Sequence, residues 1–311
     1  MRLKAVAMVR TEDGKGYTGG DSHEWRQHMN DDSAHDHHRL IVELGHDVAD
    51  ARTLRAVAEL AALLQWDLHG LFVEDDALLG LAELPFVREL RLPKFEWQKL
   101  EADRVAAELR WEAANAQRLL HDVGAAAGVP CAFEVRRGDP ADAIAAIALA
   151  TDALVIATPT SPAARLALGM RRTQATARQP AGSLLLLPQP STRHAGPMAA
   201  LATNADDPAL VVAALAAAKT REHLLLLLPA GDTELAEAAV QRVILLGMPK
   251  TRVTVCVVGD LGPDGVRHAL ANVQERMLVL TRNASTSGEL VAASRIASED
   301  GVAVLLLAPS G

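Results

Sequence analysis

The sequence predicts an α/β protein built from two tandem, open, five-stranded parallel sheets that are flanked by helices. Three observations point to this class. Short apolar runs alternate with segments of helical periodicity, the series of runs occurs twice, and aromatic residues make up 3% of a chain that is 50% hydrophobic. A core poor in aromatic residues argues against an all-β sandwich or barrel, which is enriched in them. The length of 311 residues fits two domains of about 150 residues each.

The first repeat begins at residue 39, where an apolar run follows a polar stretch. After each predicted strand, apolar residues recur at helical spacing or turn residues begin a new segment. The predicted strands of this repeat are 39–44, 68–75, 131–140, 153–159 and 183–188. Strands that alternate with helices at this spacing indicate βαβ units and a parallel sheet with helices on both faces.

The second repeat follows the same plan, with predicted strands at 199–204, 223–229, 251–260, 277–283 and 302–309. The pair Gly138–Asp139 lies 121 residues before Gly259–Asp260, and Pro188 lies 121 residues before Pro309. The opening strands are further apart, since Leu40 precedes Ala199 by 159 residues. The excess of 38 residues indicates an insertion between the second and third strands of the first repeat.

These offsets define the predicted domains. We expect a polar flexible leader at 1–38, a first domain at 39–190 with a helical insertion at about 76–123, and a shorter, degenerate second domain at 196–311. The insertion is too apolar for a surface loop, because burial of residues such as Phe86, Leu90, Phe95 and Trp97 would each contribute about 1.5–3 kcal/mol. We therefore expect it to form a contact surface, either against the second domain as an intramolecular pseudo-dimer or in a homodimer.

Charge and composition exclude several classes of function. A net charge of −8 argues against nucleic-acid binding. No apolar run reaches the roughly 18 residues of a membrane span, and residues 1–10 lead into a polar segment with no signal-peptide core. Two cysteines form no disulfide scaffold, so we expect a cytoplasmic protein in which Cys131 and Cys256 are buried structural thiols.

Ligands of open parallel sheets bind beyond the carboxyl ends of the strands, where the strand order reverses. We therefore expect any ligand contacts in the loops 45–47, 74–76, 138–140 and 158–169. His46 with Asp47 is the acid/base-like pair of this region, but no nucleophile stands beside it, and such a turn pair more often makes local hydrogen bonds. We assign no catalytic residue and expect no enzyme, with weak ATPase activity as the alternative.

The segments that carry a family resemblance follow the strands and turns of the first repeat. In chain order they are RLIVELGHDVADARTLRAVAELA, LHGLFVED, VRRGDPADAI, DALVIATP, LALGMRR and QPAGSLLLLP. Their order and spacing resemble the universal stress protein family over residues 39–188, with a weaker second copy over 198–309. The resemblance implies a five-stranded, Rossmann-like parallel sheet of the adenine nucleotide alpha hydrolase type. It also implies a role in stress response or regulation, and many members of the family bind ATP.

The family's nucleotide-binding members have an Asp after strand one and a glycine-rich phosphate loop after strand four. In this chain the Asp position falls on Gly45, and the two early glycine positions fall on Ala157 and Thr160. Gly169 is kept, one residue early, while Met170 replaces the hydroxyl residue. Pro159 and Pro162 remove backbone donors from the loop that would hold phosphates. In the second copy, Asn204 replaces the Asp.

The ATP site is thus predicted to be degenerate, and we expect no resident cofactor. If ATP does bind, the resemblance assigns its contacts to Gly45, His46, Asp47, Val73, Ala157, Thr158, Thr160, Gly169 and Met170. The favoured function is a non-catalytic, stress-type regulatory protein that binds a protein partner of unknown identity. The alternative is an adenine-nucleotide-binding stress sensor with weak or no ATPase activity.

The leader contains one weak candidate for a metal site, formed by His35, His37 and His38 with nearby carboxylates. Clustered imidazoles can hold zinc, nickel or copper. A solvated leader must lose conformational entropy to form such a site, so we expect no bound metal.

Overall fold

The structure, a computed structural model, describes residues 38–44, 51–84, 86–91, 96–158, 182–188, 193–282 and 287–309. The predicted leader at 1–38 lies outside this part of the chain, apart from His38. None of the helices that the structure describes is long and apolar enough to cross a membrane.

The first half contains seven strands and four helices among its described residues. Its strands are β1 (Arg39–Glu43), β2 (Asp67–Asp75), β3 (Arg88–Arg91), β4 (Glu96–Lys99), β5 (Cys131–Gly138), β6 (Ala153–Thr158) and β7 (Ser183–Pro188). Its helices are α1 (Ala51–Leu64), α2 (Asp76–Glu83), α3 (Ala102–Ala127) and α4 (Pro140–Ile147).

The described part of the second half contains five strands and four helices. Its strands are β8 (Met198–Leu201), β9 (Leu224–Pro229), β10 (Val253–Val258), β11 (Met277–Thr281) and β12 (Ala303–Leu307). Its helices are α5 (Pro208–Thr220), α6 (Thr233–Leu245), α7 (Pro263–Leu270) and α8 (Ser287–Asp300), and a short 3-10 turn at Lys250–Arg252 precedes β10.

Ten of the strands form one sheet in the order β10-β9-β8-β11-β12-β7-β6-β1-β2-β5. Each half contributes five parallel strands in the same spatial order, with its third strand at the outer edge and its fifth strand at the centre. The α/β class with parallel five-stranded units and flanking helices is therefore confirmed.

The sequence predicted two sheets, but the fifth strands of the two halves pair antiparallel and join them into one. Leu184, Leu185 and Leu186 of β7 lie opposite Leu306, Leu305 and Val304 of β12. Both strands are fully buried, and a buried strand edge needs a hydrogen-bonding partner. This pairing gives each of the two strands that partner.

Hydrophobic cores cover both faces of the sheet and run across this joint. On one face α1 and α5 pack against each other, and the Lys219 ammonium donates to the Ala62 carbonyl oxygen at 3.0 Å. On the other face α8 of the second half packs on β6 and β7 of the first. The linker is fixed as well, because the Arg193 guanidinium donates to the carbonyl oxygens of Glu275 and Asp300.

The predicted helical insertion is helical only in part. Helix α3 packs on β2, β5 and α1, so it belongs to the βαβ plan of the first half. The extra segment consists of α2 and the antiparallel hairpin β3–β4. A helix through this segment is opposed by Pro85 and Pro93, because a proline inside a helix removes a hydrogen bond and clashes with the preceding turn.

A buried ion pair ties β1 to the start of β6. The Arg39 guanidinium donates from Nε to Oδ1 of Asp152 at 2.9 Å and from Nη2 to Oδ2 at 2.6 Å, while the Leu149 amide donates to Oδ2 at 2.8 Å. The Asp152 side chain is 2% exposed. This carboxylate raises the pKa of Arg39 by hydrogen bonding and charge.

Asp152→Ala is expected to lower the free energy of unfolding by about 3 kcal/mol, because it leaves the Arg39 charge partly buried without its partner. The measurement is urea unfolding followed by circular dichroism. Asp264→Ala removes a carboxylate that is 76% exposed and should change stability by at most about 0.5 kcal/mol. Equal effects of the two substitutions would contradict the assignment.

Candidate functional site

Each half of the sheet has one position where the strand order reverses. In the first half this switch point lies between β1 and β6, and in the second half it lies between β8 and β11. Ligands of open α/β sheets bind in the crevice beyond the carboxyl ends of such strands. Because the two halves are antiparallel to each other across β7 and β12, the two crevices lie at opposite ends of the sheet.

The structure places three of the nine predicted nucleotide contacts. Val73 lies near the end of β2 and is 8% exposed, with its side chain in the core. Ala157 and Thr158 end β6, where they pair with Leu187 and Pro188 of β7. The other predicted contacts lie outside the described residues; they are Gly45, His46, Asp47, Thr160, Gly169 and Met170.

The loop after β5 makes structural contacts at the same edge of the sheet. Gly138 has φ +135°, a conformation that favours glycine. The Asp139 carboxylate caps α4 by accepting a hydrogen bond from the Ala141 amide at 2.9 Å. Arg137 donates to the Asp76 carboxylate at 2.6 Å and so connects β5 to α2.

The second switch point is bridged by the side chain of Asp207, which is 3% exposed. Its Oδ1 accepts hydrogen bonds from the Ala209 amide at 3.0 Å and from the Thr281 hydroxyl at 2.5 Å. Its Oδ2 accepts from the Thr203 amide at 3.0 Å. Asp207 is the N-cap of α5, Thr203 follows β8, and Thr281 ends β11. The carboxylate therefore connects all three elements that meet at the crevice.

This carboxylate lies at the N-terminus of α5, a kind of position that attracts anions. The N-terminus of a helix attracts anions because its first amide groups are unpaired and its dipole is positive there. In α5 the amide of Ala209 is already hydrogen-bonded, and a second phosphate-like charge would be repelled by Asp207. Asn204, the position of the family's Asp, accepts a hydrogen bond from the Asp206 amide at 3.0 Å within a turn.

His38, one of the three weak metal candidates, is packed into the first half. Its ring stacks on Trp66 with 4.9 Å between centroids, and its Nδ1 lies 2.8 Å from the Thr151 carbonyl oxygen. His35 and His37 lie outside the described residues. Within the part of the chain that the structure describes, no group of three or more His, Cys, Asp or Glu side chains could hold a metal ion.

Sequence analysis missed a polar cluster at the amino edge of the first half. His69 of β2 is 8% exposed, and its Nε2 lies 3.6 Å from Oε2 of Glu134. The other carboxylate oxygen of Glu134, Oε1, accepts a hydrogen bond from Arg136 at 2.7 Å. Burial lowers the pKa of His69, and the nearby Arg39 charge lowers it further. The available signal was the alternation of polar residues with apolar ones in DLHGLFVED and CAFEVRRG.

The two cysteines are half-buried, not fully buried as the sequence predicted. The Cys131 sulfur lies against the carbonyl oxygens of Leu120 and Val129, and burial raises the pKa of its thiol to about 11. Cys256 lies on β10.

A shallow cleft of about 560 Å³ lies near the junction of α1 and α5. Two of its polar side chains are in ion pairs, since His194 Nδ1 lies 2.6 Å from the Glu59 carboxylate and Arg276 pairs with Glu222 at 3.1 Å. The Nε of Arg276 has no hydrogen-bond partner among the described residues. The remaining lining residues are Ala62, Leu63, Ala127 and Thr220.

The insertion exposes an apolar surface instead of burying it within the chain. Four side chains on α2 and β3–β4 and their connection form what we call the insertion surface; they are Leu81, Leu84, Phe86 and Trp97, with exposed fractions of 45%, 39%, 76% and 64%. Phe86 and Trp97 therefore do not form the first of the two predicted contacts, the one against the second domain; contact in a homodimer stays a prediction. The side chains of Leu90 and Phe95 lie outside the described set.

Comparisons with known proteins identify the fold. No protein-family model and no curated protein matches the chain. A universal stress protein from Archaeoglobus fulgidus is structurally similar, with a TM-score of 0.58 and 12% identity over 86% of this chain and 95% of that chain. A functionally unknown protein from Pseudomonas aeruginosa has a TM-score of 0.47 and 15% identity over 87% of this chain and 92% of that chain. The chain has the fold of a universal stress protein, as its sequence predicted.

Asp207→Ala is expected to lower the free energy of unfolding by about 2 kcal/mol, since it removes an N-cap and leaves buried amide and hydroxyl donors unpaired. The measurement is chemical unfolding of the full chain. Asp232→Ala is the matched control, because Asp232 caps α6 at the surface through one hydrogen bond at 2.8 Å. Its loss should be about 1 kcal/mol or less. If both variants lose the same stability, the Asp207 network does not hold the elements of the crevice together.

Proposed function

We propose that this chain is a non-catalytic regulatory protein of the universal stress type that acts by binding a protein partner and does not use ATP. The observation that carries this proposal is the insertion surface. We place the protein in the cytoplasm, in keeping with its two cysteines and with the absence of a disulfide between them.

The insertion surface has the composition of a protein-binding site. Aromatic residues are enriched at the centres of interfaces because each buries a large apolar area at a small cost in side-chain entropy. The chain has only 4 Phe and 4 Trp, and this segment displays one of each at more than 60% exposure. Contiguous exposed apolar groups mark interaction sites in soluble proteins, and these four exposed side chains come from one short segment of the chain, residues 81–97.

The segment that presents these side chains is anchored to the first half. Leu79 and Ala82 of α2 are buried at 7% and 4% exposure in the main core. Glu89 of β3 pairs with Arg104 of α3, which also pairs with Glu108 at 3.3 Å. A pre-organised surface loses little conformational entropy when it binds, which favours affinity.

The bridged switch point of the second half supports the ATP-independent part of the proposal. Asp207 supplies from within the chain the negative charge that an anion at the N-terminus of α5 would supply. An anionic ligand at this helix end would have to compete with a buried carboxylate that already has four donors, which are the Thr203 amide and hydroxyl, the Ala209 amide and the Thr281 hydroxyl. Together with the replaced glycines of the first half, this favours regulation through protein contacts.

Adenine-nucleotide binding at the first switch point is the second candidate function. Val73, at the position where the family places adenine, is buried near the carboxyl end of β2, next to β1. In this reading the chain is a nucleotide sensor with weak or no ATPase activity, and its contacts are those assigned from the resemblance.

The double substitution Phe86→Ser with Trp97→Ser should abolish partner binding and leave stability within about 0.5 kcal/mol, because both side chains are exposed. The measurement is crosslinking of the tagged full chain in its own cells, followed by mass spectrometry. The matched control is Leu245→Ser with Val291→Ser, whose side chains are 79% and 62% exposed elsewhere on the surface. Identical crosslinked proteins for both double variants would refute the proposed surface.

Calorimetric titration of the full chain with Mg-ATP should show no tight binding, because the phosphate loop lacks two glycines and two backbone donors. The supernatant of freshly purified, denatured protein should also contain no adenine nucleotide by mass spectrometry. A sub-micromolar dissociation constant would favour the second candidate function. Gly169→Val would then test the first switch point, since it should weaken that binding at least tenfold.

A further inference from the structure

β10 is an outer edge of the ten-stranded sheet. Among the residues that the structure describes, its neighbour is β9 alone, with Val253–Val258 in parallel register with Leu224–Pro229. The other side of β10 therefore presents a row of backbone N–H and C=O groups that no described residue pairs.

β10 lacks the features that usually protect an edge strand. Soluble proteins place charges, prolines or bulges at such edges to prevent pairing with other chains. The opposite edge strand, β5, follows this rule with Glu134, Arg136 and Arg137. β10 has the sequence VTVCVV, with no charge and no proline over six residues.

Three side chains of β10 are exposed, those of Thr254, Val255 and Val257, and on the face of the two valines the second half covers this edge less fully than the first half covers β5. Val255 and Val257 lie on the same face as Leu226 and Leu228 of β9, and they are 37% and 62% exposed. On the corresponding face of the first half, the 26-residue helix α3 packs on β5. In the second half the helix in that position, α6, has 13 residues.

We propose that β10 pairs antiparallel with β10 of a second copy of this chain. The occupant is indicated by charge complementarity, because Arg252 immediately precedes the strand and Asp260 follows it by two residues. In a self-paired antiparallel ladder, the basic end of each copy lies beside the acidic end of the other. This surface is separate from the insertion surface, so the two proposals can fail independently.

The backbone determines the register of this pairing. The Ala230 amide donates to the Val258 carbonyl oxygen at 3.0 Å. The backbone N–H and C=O groups of even-numbered residues in β10 are therefore directed to β9, and those of odd-numbered residues are directed outward. The outward residues must form the hydrogen-bonded pairs of the new ladder. With Arg252 opposite Asp260 of the second copy, Val255 is opposite Val257 and Cys256 is opposite itself on the two-fold axis. A shift of two residues places Arg252 opposite Val258 or Gly262 and loses this ion pair.

The chain already contains one joint of this type. β7 and β12 have the sequences SLLLLP and AVLLL, and they pair antiparallel around the approximate two-fold axis that relates the halves. Two strands without charges thus satisfy each other's backbone groups and bury their side chains together. The proposed pairing of β10 applies the same arrangement between chains.

Charge reversal tests both the partner and the register. Arg252→Asp places two acidic groups opposite each other, and Asp260→Arg places two basic groups opposite each other. Each single variant should raise the dimer dissociation constant at least tenfold in sedimentation equilibrium, and the double variant should restore it. In the turn after β10, the Asp260 carboxylate accepts a hydrogen bond from the Gly262 amide at 2.9 Å. The double variant lacks this hydrogen bond just as Asp260→Arg does, so restoration of the dimer would show that loss of the turn contact is not the cause of the effect. Failure of the double variant to restore the dimer would overturn the register.

An edge substitution tests the surface itself. Val257→Lys should give a monomer, since it places a charge on the outer edge of the sheet. Val291→Lys is the matched control, because Val291 on α8 is also 62% exposed; this variant should dimerise as the parent does. A parent chain that remains monomeric at all concentrations, or equal dimerisation of both variants, would overturn the proposal.

Cys256 provides an independent distance measurement. Opposite residues of a non-hydrogen-bonded antiparallel pair have Cα atoms about 4.5 Å apart, within the disulfide range of about 4.4–6.8 Å. Diamide, which takes two electrons and two protons from the paired thiols, should give a covalent dimer on a non-reducing gel. Cys256→Ser should abolish this dimer and Cys131→Ser should retain it. A covalent dimer that depends on Cys131 would contradict the pairing of β10.

Discussion

The antiparallel pairing of β7 with β12 is the constraint on which the arrangement of this molecule depends. It joins two parallel five-stranded units into one sheet and buries the Leu-rich strands of both units. It also sets the two units antiparallel to each other, so their carboxyl edges lie at opposite ends of the sheet. A ligand site shared by both switch points is therefore excluded by the topology, and each half must be considered for its own chemistry.

The two halves share a strand order and differ in what surrounds it. In the first half α3 covers β5, and the segment from α2 to β4 adds an anchored surface with Phe86 and Trp97 exposed. The second half has a shorter helix α6 and leaves the uncharged edge strand β10 exposed. Its switch point is bridged by Asp207. These differences support the proposal that the chain acts through protein contacts, because the apolar groups are accessible and the Asp207 carboxylate already lies at the N-terminus of α5.

The site was less predictable from the sequence than the fold. Asn204 occupies the position of the family's Asp. The residue that connects the elements of the crevice is instead Asp207, three positions later. Its hydroxyl partner, Thr281, is 74 residues away in the chain. His69 was missed for a similar reason, since its neighbours Arg39 and Glu134 come from different strands. Contacts of this kind depend on which strands become neighbours, and local patterns carry no information on that order.

The sequence by itself determined the α/β class and the ten strands of the main sheet, because hydrophobic periodicity and turn residues are local properties of the chain. The difference in spacing between the two halves also predicted an insertion at about 76–123, whereas the extra segment of the structure consists of α2 and the strands β3 and β4. The tertiary structure alone decided that the two sheets are one, that residues 88–99 contain a hairpin, and that Phe86 and Trp97 face solvent. The physical reason is that edge pairing and burial depend on which surfaces remain after distant segments have packed. The hydrophobic pattern around an apolar residue is the same in the sequence whether the surface that buries it lies within the chain or on another molecule.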